Sequence, residues 1–251
     1  MSFLVGTMLL AVVTAVACAL PGAFVILRRG SMLVDAISHA VLPGIVVGYY
    51  FTHDLDSPLL ILGAALAGLV VVLGSEYLGR TGLVTGDAPQ GLVFPALFSI
   101  AIILISRYAG DVHLDTDVVL LGELAFAPFD RFAPFGVDLG PRGLYVMGGI
   151  LLINLAFISL FYKELKISTF DVGLAAVLGF APAVVHYMLM SLVSITLVGA
   201  FDIVGSVLVV ALMVAPAASA YLLVNRLPAM LALSTGLGAL SALTGYLLAF
   251  L

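Results

Sequence analysis

Charge is scarce in this chain. Of its 251 residues only 9% are charged and 63% are hydrophobic, whereas a soluble domain carries about 25% charged residues. So little charge cannot cover a water-facing surface, which excludes a soluble globular protein and leaves an integral membrane one. The apolar runs are long enough for helical spans, not the short alternating strands of a barrel. Basic residues are outnumbered, nine against fourteen acidic ones, for a net charge of -5. That balance disfavours a nucleic-acid partner. Cysteine is nearly absent. Cys18 is the single one and lies inside the first apolar run, so there is no intrachain disulfide and no cysteine-cluster metal site. No GxxxxGKS or GxxxxGKT stretch occurs, so ATP hydrolysis is not expected of this chain itself. No HExxH stretch occurs either, and an intramembrane metalloenzyme would lack its ligands and its base. Glycine and proline, by contrast, are plentiful, at 26 and 11. In membrane spans small residues permit close helix packing, and neighbouring helices absorb proline kinks.

The apolar runs predict eight spans, an all-α polytopic bundle forming a single permease domain over residues 1–251. They cover about Phe3–Leu27, Leu33–Phe51, Leu59–Leu78, Gly91–Ser106, Leu144–Phe161, Pro182–Ala200, Ile203–Leu223 and Ala229–Leu251. The first run lacks a basic start and exceeds a signal-peptide core, so it reads as a retained span. The last stops at Leu251 with no charged flank. Between the fourth and fifth spans, Arg107–Gly143 holds nine charged positions and prolines at 128, 134 and 141. It reads as a long outer loop with a short helix around Val118–Leu124. A second short helix is expected over Phe170–Phe180, bounded by Asp171 and Gly179. Basic residues orient the chain. Arg28, Arg29, Arg80, Lys163, Lys166 and Arg226 fall in loops of one parity, against Arg107, Arg131 and Arg142 in the other. The six mark the cytoplasmic side and place the N-terminus outside.

The informative stretch is RRGSMLVDAISHAVLP, Arg28 to Pro43. Asp35 and His39 are four apart, on one helix face and one turn from each other. A carboxylate and an imidazole inside an apolar span are costly unless used. Together they suit manganese or zinc. Two ligands per chain give a weak transient site, as conduction requires. The structural alternative is that Asp35 caps or bridges to Arg28 or Arg29 while His39 only packs. Glu76 and Arg80 have the spacing of a helix salt bridge. Asp87 sits where it would cap the fourth span. His186, with Met188 and Met190 nearby, reads as packing. His53, Asp54, Asp56, Asp111, His113, Asp115 and Asp117 form two acidic outer segments that would concentrate cations and help dock a partner. Asp202 could line the same mouth or rest at the lipid–water interface.

The string LRRGSMLVDAISHAVLPG resembles the signature of the metal-uptake ABC permease family, importers of manganese, zinc or iron. The resemblance continues through GDAPQGLVFPALFS, DTDVVLLGELAF, GVDLGPRGLY, YKELKISTFDVGLAAVLG and VGSVLVVALMVAPAASAYLL, in family order and over nearly the whole chain. VLLGEL and GVDLGPR are most similar to manganese-type members. Glu123 matches a family position in the outer region. Family members usually continue beyond the point where this chain stops. The resemblance implies a second permease subunit, identical or sister, a separate cytoplasmic ATPase pair and an extracytoplasmic metal-binding protein. It implies no permanently bound cofactor, only transported Mn2+, Zn2+ or Fe2+, in a bacterial cytoplasmic membrane. It further implies that the short helix, with Phe170, Asp171, Leu174, Ala175, Leu178 and Gly179, docks on the ATPase; an amphipathic helix resting on lipid is the other reading. The expected function is therefore the membrane half of an ATP-driven importer of divalent metal working by alternating access. The rivals are an importer of a chelated metal or vitamin, which would need few charged ligands, and a proton-coupled carrier using Asp35 and His39 as a relay.

Overall fold

The computed structural model describes residues 3–52, 58–108 and 140–249. Every regular element among them is an α-helix. The helices are α1 (Phe3–Leu27), α2 (Ser31–Thr52), α3 (Pro58–Arg80), α4 (Ala88–Tyr108), α5 (Arg142–Leu160), α6 (Tyr162–Phe170), α7 (Val172–Val177), α8 (Pro182–Leu223) and α9 (Leu227–Leu248). Six are long and apolar enough to cross a membrane, and Ala88–Leu104 of α4 is a shorter apolar helix. The segments His53, Asp54 and Asp56, the acidic stretch with Asp111, His113, Asp115, Asp117 and Glu123, and the helix expected at Val118–Leu124 lie outside the described residues.

Lipid tails are as apolar as leucine, so helices in a bilayer associate through close packing and interhelical hydrogen bonds. The sequence supplies both. α1 packs on α5, α8 and α9, and its buried face is built from small residues: Ala15, Ala19, Gly22 and Ala23. A Cβ on Gly22 would run into the carbonyl of Met213 on α8. α2 packs on α3, α4 and α8. Gly44 and Gly48, one GxxxG pair on α2, lie against the backbone of Gly63, Ala64 and Leu60 on α3. Asn154 of α5 is fully buried. Its Nδ2 donates to the Ala17 carbonyl at 2.9 Å and to Thr196 Oγ1 at 3.0 Å, tying α5, α1 and α8 together. Asn154→Leu is expected to lower the thermal stability of the detergent-purified protein by about 1 kcal/mol, the scale of two interhelical bonds. An unchanged melting temperature would mean that the amide is not a structural tie.

The sixth and seventh spans are expected to part at Phe201-Asp202. The break between the two halves of α8 falls at Gly205 instead, whose φ of 76° and ψ of 167° are non-helical. Asp202 is exposed and still helical, three residues earlier. Contacts along the bundle show that the chain reverses there. His186 lies beside Arg28, Thr196 beside Asn154 at the level of Ala17, and Ile203 beside Gly143 and Leu10. After the break Met213 lies at Gly22, and Ala220 packs with Ala23 and Met230. A polar residue can ride on an exposed helix face, whereas a positive φ with ψ near 180° is essentially open to glycine alone, so the glycine and not the aspartate marks the turn.

The second short helix is also narrower than expected. α7 covers Val172–Val177, not Phe170–Phe180. Asp171 is extended (φ -149°, ψ 97°), separates α6 from α7, and accepts a hydrogen bond from the Leu174 N–H at 2.8 Å, a side-chain N-cap. Gly179, at φ 83°, closes the other end.

The six arginines and lysines assigned to one side do gather at one end of the bundle. Arg28 touches α6, the helix that carries Lys163 and Lys166. Arg80 ends α3 and meets Glu76. Arg226 caps α9 next to the cluster of Ala23, Ala220 and Met230.

Candidate functional site

α2 carries the carboxylate–imidazole pair. Its start is set by a turn of only three residues, Arg28 to Gly30. The Gly30 N–H returns to the Val25 carbonyl and the Arg29 N–H to that of Ile26, the Schellman pattern that closes a helix. Arg29 occupies the left-handed position at φ 57°, where glycine is usual. Asp35 and His39 follow one and two turns into α2. His39 Nε2 and Asp35 Oδ1 are 3.6 Å apart, and the side chains are 30% and 41% exposed. The His39 ring stacks on Phe94 of α4, centroids 5.3 Å apart at 21°. Phe94 thus restrains the imidazole plane. Two donors each roughly 2.1 Å from one tetrahedral ion lie roughly 3.4 Å apart, so this pair needs almost no movement to share a cation. The nearest polar partner of the Asp35 carboxylate is His39, while the hydrogen bonds of Arg28 go to Thr169, Ser168 and His186. No group of three or more His, Cys, Asp or Glu side chains able to hold a metal occurs among the described residues.

A second polar cluster stands at the basic end, and sequence reasoning missed its centre. His186 is not a packing residue. Its Nε2 lies 2.6 Å from Glu76 Oε1 and its Nδ1 is 3.1 Å from Arg28 Nη1. A guanidinium only donates, so Nδ1 must accept and Nε2 must carry the proton given to Glu76. The ring is therefore neutral, with both nitrogens engaged, and offers no lone pair to a metal. Tyr187 donates to Glu76 Oε2 at 2.7 Å. The Glu76–Arg80 pair is present at 3.6 Å, but Arg80 is 74% exposed and the contact is the weakest that Glu76 makes. Arg28 also donates to Thr169 Oγ1 at 3.1 Å and Ser168 Oγ at 2.9 Å on α6. Burial pulls the Arg28 guanidinium below its ordinary value, but arginine starts so high that it stays charged at neutral pH. These groups line a cleft of about 750 Å³ at the basic end. The neighbouring methionines divide: Met190 is buried and Met188 exposed.

Of the residues assigned to the short helix, Phe170, Leu174 and Leu178 are exposed and apolar, whereas Ala175 is fully buried. Asp171 and Gly179 shape the ends of α7 rather than its surface. Val172 and Val177 join the exposed face, and Val177 is 85% exposed. Asp87 is exposed and directly precedes α4, the place of a capping residue.

A bundle of apolar helices with a carboxylate–imidazole pair inside one span and a charged cluster at one end is that of a multi-pass membrane transport subunit. The pattern of the ABC 3 transport family matches residues 1–251, and the chain belongs to that family. It is similar to the zinc transport system membrane protein TroD of Treponema pallidum, 55% identical over 208 residues. That match covers 83% of this chain and 56% of TroD, so the chain aligns with little more than half of that relative. It is 44% identical to the manganese transport system membrane protein MntD of Bacillus subtilis, over 99% of this chain and 84% of MntD. Among solved structures, PsaBC from Streptococcus pneumoniae in complex with Fab superposes with a TM-score of 0.80 at 30% identity. That match covers 100% of this chain and 83% of that one. Membership makes this a multi-pass ABC permease chain and not an enzyme.

Proposed function

We propose that the chain is the membrane-spanning subunit of an ATP-driven importer of divalent transition-metal ions, with manganese the favoured cargo and zinc or iron the others. The observation that carries this reading is the Asp35–His39 pair, part-buried in α2 with donor atoms 3.6 Å apart. Carboxylate oxygen and imidazole nitrogen without a thiolate suit manganese, zinc or iron more than soft ions. Two donors per chain bind weakly enough to release the ion, and a second permease chain could complete the set across a two-fold axis. The N-terminus faces out, which puts the six gathered basic residues in the cytoplasm. There the exposed apolar face of α7 meets a separate ATPase. The acidic outer residues Asp54, Asp56, Asp115, Asp117, Glu123 and Asp202 form the mouth that receives the ion from a binding protein. Closure of the ATPase rocks the spans, and Asp35 and His39 hold the ion between entry and release.

The test is metal accumulation by cells expressing the intact system or lacking this chain, scanned across manganese, zinc and iron. Loss of one metal identifies the cargo; no difference for any of them overturns the reading. For the ATPase contact, Val177→Asp places a charge on the most exposed apolar position of α7. Co-purification of the ATPase is expected to fall at least about tenfold, the scale of a lost interface anchor, with membrane level unchanged. Undiminished co-purification would return α7 to a lipid-resting role.

A further inference from the structure

Resting on the reading of α7 as the ATPase contact, we propose that Arg28 is the positioning residue that carries movement of the α6–α7 arm to the Asp35–His39 pair. The guanidinium is used in three directions. Its Nε and Nη2 donate to Thr169 and Ser168 in the last turn of α6 at 3.1 and 2.9 Å. Its Nη1 donates to His186 at 3.1 Å. Thr169 stands two residues before Asp171, the cap of α7, so the arm that presents Val177 hangs directly from the residues that Arg28 holds. On the other side of Arg28 only Arg29 and Gly30 precede Ser31, the first residue of α2. The turn is closed by the Gly30 and Arg29 N–H bonds back into α1, and a Cβ on Gly30 would press on Val25. It therefore has no slack to absorb a displacement. Asp35 lies four residues further on, roughly 6 Å along the helix axis. Through His186 and Glu76 the same cluster reaches α8 and α3, the helices against which α2 would move.

The geometry requires arginine. Its planar fork reaches two hydroxyls and an imidazole nitrogen at once, while a lysine ammonium is a single point on a flexible stem. The nearby charged groups are accounted for: Glu76 is taken up by His186, Tyr187 and Arg80, and Arg28 makes no ion pair of its own among the described contacts. Its role is then set by hydrogen-bond direction more than by charge, which separates Arg28→Lys from a merely electrostatic substitution.

The experiment uses the complete transporter reconstituted in vesicles, with Mn2+ uptake and phosphate release measured in the same sample. Arg28→Gln and Arg28→Lys are both expected to keep hydrolysing ATP. Metal moved per ATP should fall at least about tenfold, the scale of losing hydrogen bonds to a charged group. The double variant Ser168→Ala/Thr169→Val should show a similar loss, and combining it with Arg28→Gln should add little, as expected for groups acting through one contact. A merely structural role would lower assembled complex without changing metal per ATP. An unchanged ratio in Arg28→Gln, or in the hydroxyl double variant should Arg28→Gln not assemble, overturns the proposal. Val177→Asp serves as the reference. If it uncouples transport while the Arg28 and hydroxyl variants do not, only the role of Arg28 falls. If it leaves the ATPase bound and coupled, the reading of α7 falls, and this proposal with it.

Discussion

Alanine at His39 or at Asp35 is expected to abolish accumulation of the transported metal at matched membrane levels. Each substitution removes one donor of the Asp35–His39 pair, and no group of three or more such side chains among the described residues stands ready to replace it. Loss of an outer-shell partner alone typically weakens a metal site by roughly 10- to 100-fold, so loss of a direct ligand from so sparse a set should exceed that. His39→Ala also removes the ring stacked on Phe94, which leaves a small void between α2 and α4. Phe94→Leu therefore serves as a packing control. It disturbs the same contact, keeps both donors, and should retain most transport. Asp35→Asn keeps the shape of the side chain and removes its charge, and it should fail like alanine. Normal uptake in both alanine variants would make the pair a packing feature and move the search to the acidic segments around Asp54, Asp56, Asp115 and Asp117.

Valine at Gly44 should be as damaging for a different reason. A side chain there would collide with the backbone of Gly63 and Ala64 on α3. Backbone atoms of a packed helix cannot rotate away as a flexible side chain can, so α2 and α3 must separate. Overpacking of this kind costs roughly 1–3 kcal/mol or more. Here it would also shift the helix that carries Asp35 and His39. The expected outcome is reduced membrane level and early thermal unfolding, with any surviving protein impaired in uptake. Gly91→Ala is the matched control: nothing lies within 4 Å of its would-be Cβ, and replacing a helical glycine is neutral or slightly stabilising. If Gly44→Val melts like the parent protein, the close approach of α2 and α3 is not required.

The contrast between the two polar groups explains what was readable in advance. Asp35 and His39 are four residues apart, and helical periodicity alone puts them on one face. Glu76 and Tyr187 are separated by 111 positions, and Arg28 and His186 by 158. No local pattern joins such residues, and His186 beside two methionines looked like packing. A hint was available: a histidine and a glutamate in separate apolar spans each need a partner, and each could have been assigned to the other. The short helix shows the same limit on a smaller scale. Its presence was legible from apolar spacing between Asp171 and Gly179, but the cap at Asp171 started it later. Burial of Ala175 and exposure of Val177 depended on where α6 and α8 lay.

Composition and run length by themselves determined that this is a multi-pass helical membrane protein, because a chain can satisfy its backbone in lipid only as helices or as a closed barrel, and apolar runs this long are not barrel strands. Helical spacing determined the carboxylate–imidazole pair, and the family motifs determined the kind of transporter. Only the tertiary structure decided that the chain reverses at Gly205 rather than at Asp202, since a glycine used for its positive φ looks like any of the other 25 in the sequence. It alone joined Arg28 to α6, α8 and, through His186, α3. Those contacts depend on which helices become neighbours, a choice made by the summed packing of many small residues and written in no single stretch of the chain.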